Sequence, residues 1–74
     1  MLKDVREKKK MSRTELGKKV NVSNRTIEGY EHGLRDINKA SVTTITKLAL
    51  NLDCKIEDIL TDKETIENLK KIYG

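Results

Sequence analysis

Two serines, Ser12 and Ser23, each open a stretch whose apolar residues recur every three or four positions. Only Asn21-Val22-Ser23 separates the two stretches. This layout commits the middle of the chain to two short helices joined by a tight turn. Ser12 is an N-cap with Glu15 three residues on, a capping box in which each side chain bonds an orphan backbone N–H. The spacing predicts a helix over Arg13 to Val20, with Leu16 and Val20 on its inner face. Gly17 lies beside them and costs about 1 kcal/mol against Ala in a helix interior. A close helix crossing would explain it. Asn21 tolerates the left-handed conformation that a sharp stop needs. Ser23 caps a second helix over Asn24 to Glu31, with Ile27 and Tyr30 facing inward. His32-Gly33 closes it, with Gly at the expected C-terminal position.

The flanking segments read the same way. Leu2 to Lys10 forms an opening helix with Leu2 and Val5 inward, followed by Met11. Residues 34–40 form a polar loop with Leu34 and Ile37 as anchors. Ser41 caps a helix over Val42 to Asn51, in which Ile45, Leu48, Ala49 and, beyond its end, Leu52 keep the helical period. Asp53-Cys54-Lys55 turns the chain. A short helix over Ile56 to Leu60 adds Ile56, Ile59 and Leu60 to the core. The tail from Asp62 to Tyr73 forms a sixth helix, with a frayed charged terminus as the alternative. Its stripe of Ile66, Leu69 and Tyr73 packs on its own domain or on a partner subunit. Pro, Phe and Trp are absent and the only aromatics are Tyr30 and Tyr73, so the period-two pattern of strands is missing. The expected fold class is all-α: a compact bundle of five short helices over residues 1–60, followed by a helical tail over 61–74.

Composition narrows the function. A chain of 74 residues holds one domain with a small core. Cys54 is the only cysteine, which suits a reduced, intracellular protein and an inert core thiol. No apolar run approaches the ~20 residues of a membrane span. The opening Met-Leu-Lys-Asp lacks the apolar region of a secretory signal, so the expected location is cytoplasmic. Residues 1–39 hold 11 Lys/Arg against 6 Asp/Glu, whereas residues 40–74 carry a net charge of −1. A basic opening half suits a polyanionic ligand, although a solvated lysine-rich surface gives the same count. Catalysis is not expected: His32 is the only histidine, and no phosphate-cradling Gly loop exists. His32 and Cys54 are too few for a metal site. No cofactor and no metal are expected.

The stretch from Ser12 to Gly33 is thus a helix-turn-helix motif, whose second helix enters the major groove while its first crosses the backbone. Ser12-Arg-Thr-Glu-Leu-Gly-Lys-Lys-Val-Asn-Val-Ser-Asn-Arg-Thr-Ile-Glu-Gly-Tyr-Glu-His-Gly33 resembles the phage repressor and Cro-like family, also called the xenobiotic-response-element family. Lys47-Leu-Ala49 and Leu52-Asp-Cys-Lys-Ile-Glu-Asp-Ile-Leu60 match its later helices, so the resemblance covers about residues 2–60. The chain departs from the pattern at Arg13, where Gln is usual, at Gly17 for Ala, at Asn21 for Gly, and in a longer loop from Leu34 to Ala40.

The resemblance, together with the chemistry of the side chains, implies the following roles. Asn24, Arg25, Thr26 and Glu28 are the candidate base readers, Arg25 first, because its planar fork can bond guanine O6 and N7 together. Gly29 stands where relatives often carry a reading side chain. Arg13, Ser23, Arg35, Asn38 and Lys39 are the candidate phosphate contacts, and Lys18 and Lys19 are solvated bystanders. Arg6 and Glu31 form a structural ion pair. Such modules bind double-stranded DNA as homodimers, and Ile59, Ile66, Leu69 and Tyr73 are the candidate dimer residues. The expected function is a sequence-specific transcriptional regulator, a repressor on a near-palindromic operator. The alternative is a protein-interaction module, antitoxin-like or an adapter, with a protein partner on the tail and DNA binding secondary.

Overall fold

The computed structural model describes residues 2–73, the Tyr73 side chain excepted. The chain forms α1 (Leu2–Lys8), α2 (Arg13–Val20), α3 (Asn24–Glu31), α4 (Val42–Leu52) and α5 (Lys63–Tyr73). Single 3₁₀ turns lie at Ile37–Lys39 and Ile56–Asp58, and no strand occurs among the described residues. The helix starts follow their caps. Ser12 Oγ accepts from Glu15 N–H at 3.0 Å, and Ser12 N–H donates to Glu15 Oε1 at 3.3 Å. Ser23 and Ser41 Oγ accept from the N–H groups of Thr26 and Thr44, each at 3.1 Å. Asn21 ends α2 in the left-handed conformation, with φ 59°.

Three segments differ from the sequence expectation by more than one residue at a boundary. α1 stops at Lys8, because Lys10 turns left-handed with φ 55° and Met11 N–H bonds back to Arg6 C=O. Residues 56–60 make one 3₁₀ turn and no α-helix. Lys55 N–H is bonded by Asp58 Oδ2 at 2.9 Å, and so short a segment gains little from an α-helical nucleus. Leu34 is no apolar anchor: it is 82% exposed, and of the two expected anchors only Ile37 is buried.

The core joins Leu2, Leu16, Val20, Ile27, Ile37, Ile45, Leu48, Leu52, Ile59 and Leu60. α2 is its hub, packed on α3 and on α4. Ile59 is 1% exposed, so its side chain is core and cannot serve as a dimer contact. Ile66 and Leu69 are partly buried and pack against the same core. Tyr73, the fourth dimer candidate, has its side chain outside the described residues.

Gly17 has a different reason from the expected helix crossing. Its nearest neighbour is the turn backbone, with the first residue of α3 next, Asn24 N at 3.6 Å from a Cβ built there. A Cβ built there would stand 2.5 Å from Val22 C=O. The carbonyl of Gly17 also accepts from Val22 N–H at 2.9 Å. The turn therefore folds back directly onto the glycine.

Candidate nucleic-acid interface

α3 is eight residues long, with Ile27 and the Glu31 side chain inward. Residues opposite these two face outward, so Arg25 and Gly29, one turn apart, lie on the middle of the free face. Arg25 is exposed, and its guanidinium has no bond or ion pair among the described residues. Beside it, Asn24 donates to Thr14 Oγ1 at 3.2 Å, which ties the start of α3 to α2. The hydroxyls of Ser23 and Thr26 lie 2.9 Å apart at the same end. Glu28 is half-exposed.

The inner end of α3 is clamped by charge. The Glu31 side chain is wholly buried. Arg6 Nε donates to Glu31 Oε2 at 2.6 Å and Nη2 to Oε1 at 3.2 Å, a two-pronged pair. Arg6 Nη1 donates to Met11 C=O at 2.8 Å. Arg13 Nε adds a third bond to Glu31, to Oε1 at 3.0 Å. Burial pushes the Glu31 carboxyl up, but the hydrogen bonds and charges of Arg6 and Arg13 outweigh it and hold the group below the ordinary 4.5. The bond to Glu31 raises the Arg6 guanidinium in turn.

That depression has a stability consequence. A carboxylate held low in the folded state stabilises the fold fully above its unfolded value, near 4.5 here. The contribution is lost as pH falls through the depressed folded value. Unfolding free energy should therefore drop on acidification below about pH 4.5. Glu57, bonded by Lys70, and Asp62, bonded by Thr65, are exposed and shift the same way. The diagnostic is the difference: Glu31→Gln should show a shallower acid slope than the parent in urea titrations from pH 3 to 7. Equal slopes would mean that Glu31 is not the linked group.

A helix-turn-helix family model matches residues 2–59. The chain belongs to that family. It is a DNA-binding transcription regulator of the xenobiotic-response-element type, a regulatory class and not an enzyme class. No curated protein and no solved structure matches the chain. No helix among the described residues is long and apolar enough to cross a membrane.

In this helix-turn-helix protein several expected phosphate contacts are otherwise engaged. Arg13 is held over Glu31, with Nη1 3.8 Å from Glu28 Oε2 and Nη2 3.4 Å from His32 Nε2. Arg13 thus belongs to the clamp through Nε, while its side chain is 30% exposed and Nη1 has no hydrogen bond among the described residues. Asn38 is corrected from a phosphate contact. Its Oδ1 accepts from the N–H groups of Thr61 and Asp62 at 2.9 and 2.8 Å. Its Nδ2 donates to Asp36 Oδ1 and Thr61 Oγ1, each at 2.9 Å. Every polar atom of that amide is spent on stapling the loop to the start of α5.

Arg35 and Lys39 remain exposed and without bonds or ion pairs from their head groups among the described residues. Lys18, read from the sequence as a bystander, lines a hollow at the turn with Thr14, Asn21, Ser23 and Asn24. Its place in that hollow follows from the chain turning back after α2 at Asn21, which charge counting does not reveal. Cys54 packs against the core, and its thiol is pushed up by burial and by Asp58 and Asp53, in keeping with an inert side chain.

Proposed function

We propose that the protein is a repressor that binds a near-palindromic operator as a homodimer, with α3 of each copy in a major groove. The observation that carries this reading is the free face of α3, where an unpaired Arg25 projects from a helix whose other face is clamped. Arg25 reads a guanine, with Asn24, Thr26 and Glu28 at the flanks. Ser23, Lys39 and Lys18 hold phosphates on either side. An eight-residue helix is about 12 Å long and spans only a few base pairs. Two copies one helical turn apart, ~34–36 Å, double the sequence read. Leu50 on α4 and Ile72 on α5, 80% and 70% exposed, are apolar side chains left open for the dimer contact. Repression follows from occupancy, since a protein lying on promoter DNA excludes polymerase from it.

Selection of sites from random duplexes with purified protein tests the reading. A two-fold symmetric motif, with a dimer by sedimentation at binding concentrations, is expected. Arg25→Ala should then relax one base pair per half-site, a loss of about 1–3 kcal/mol of discrimination. Salt-sensitive binding with no enriched motif would overturn the proposal. The protein-interaction reading, an antitoxin-like or adapter module, would take its place.

A further inference from the structure

Gly29 lies on the outward face of α3, one turn beyond Arg25, yet it is buried. A glycine on a free helix face exposes backbone unless something covers it. The cover is Arg35. A Cβ built on Gly29 would meet Cγ and Cδ of Arg35 at 3.1 Å each and its Cβ at 3.6 Å. The aliphatic stem of Arg35 thus occupies the space that a side chain at position 29 would fill.

The loop is fastened where this requires it. Gly33 turns with φ 75°, and the N–H groups of Leu34 and Arg35 both donate to Gly29 C=O, at 2.9 and 3.1 Å. The backbone of Arg35 is therefore pinned to the residue that its stem lies on. Cδ is the last carbon before the guanidinium, so the head group starts from the middle of the reading face. It has no partner among the described residues.

We propose that Arg35 supplies the reading side chain that Gly29 lacks. Its guanidinium enters the major groove beside Arg25 and bonds a guanine edge, in place of the phosphate contact first expected of it. Gly29 and Arg35 then form one device, in which the absent side chain is what admits the loop arginine. The inference rests on the reading that α3 enters the groove.

The test is site selection with four proteins: the parent, Arg35→Ala, Arg35→Lys and Arg25→Ala. Arg35→Lys keeps the stem over Gly29, so a folding defect cannot account for its result. The parent should enrich a motif in which Arg35→Ala loses about ten-fold preference at one base pair per half-site. That pair should differ from the one lost in Arg25→Ala. Arg35→Lys should fail to restore the preference, because an ammonium cannot bond O6 and N7 as a fork. If Arg35→Ala keeps every base preference, whether affinity is unchanged or falls alike for all sequences with a smaller salt slope, the inference is overturned while the operator reading stands. If the parent enriches no motif, both fall together.

Discussion

Glu31→Ala should remove about 3–5 kcal/mol of folding stability, a large part of what a domain of this size possesses. The carboxylate it deletes is buried and holds three guanidinium bonds from two arginines. The Arg6 side chain is itself only 9% exposed, and it would be left charged and unpaired where water reaches it poorly. Breaking one side of such a pair costs far more than the pair contributes, because the surviving charge has lost its compensation. Urea unfolding followed by circular dichroism measures the loss. Arg6→Met combined with Glu31→Leu makes the comparison informative, since an apolar pair removes both charges at once. The double variant should recover most of the stability lost by the single one. A single variant within about 1 kcal/mol of the parent would show that the clamp is not buried in solution.

The second large effect is expected at Gly17. Replacing it by valine should cost about 3 kcal/mol or more. A Cβ alone would stand 2.5 Å from the Val22 carbonyl, and a backbone oxygen cannot swing aside as a flexible side chain does. The turn has little room to retreat, since Asn21 is left-handed and Ser23 is committed to its cap. Helix propensity pulls the other way by well under 1 kcal/mol for valine, so the collision decides the sign. Thermal melts read the loss directly. Gly17→Ala separates the causes, because alanine gains nearly 1 kcal/mol of propensity and brings only the Cβ. It should lie between parent and valine. A valine variant as stable as the parent would mean that the turn yields freely.

The bounds of α2 and α3 are legible in the sequence because each is set by local chemistry: a serine cap, a left-handed asparagine, a closing glycine. The inward residues of both helices follow from spacing alone. Spacing does not reveal a contact whose partner returns from far along the chain, and the Arg6–Glu31 pair is anticipated only through the family resemblance. Arg13 sits at the first position of α2 and reads as a phosphate donor, until α3 brings Glu31 against it. Asn38 reads as a polar loop residue, until the chain comes back at Thr61 and takes up all of its hydrogen-bonding capacity. Ile59 keeps the apolar period and reads equally well as core or as interface. Only the placement of its 3₁₀ turn decides for the core. Gly29 reads as a missing side chain, and the arginine lying over it comes from a loop that no periodicity governs.

α3 is fastened at both ends, by Ser23 and the Asn24–Thr14 bond at its start and by Glu31 and the Gly29 carbonyl at its finish. Its backbone order is thus settled when the protein folds, before any duplex arrives. Docking then restricts few torsions beyond those of the exposed side chains. The unfavourable conformational entropy of association is correspondingly small.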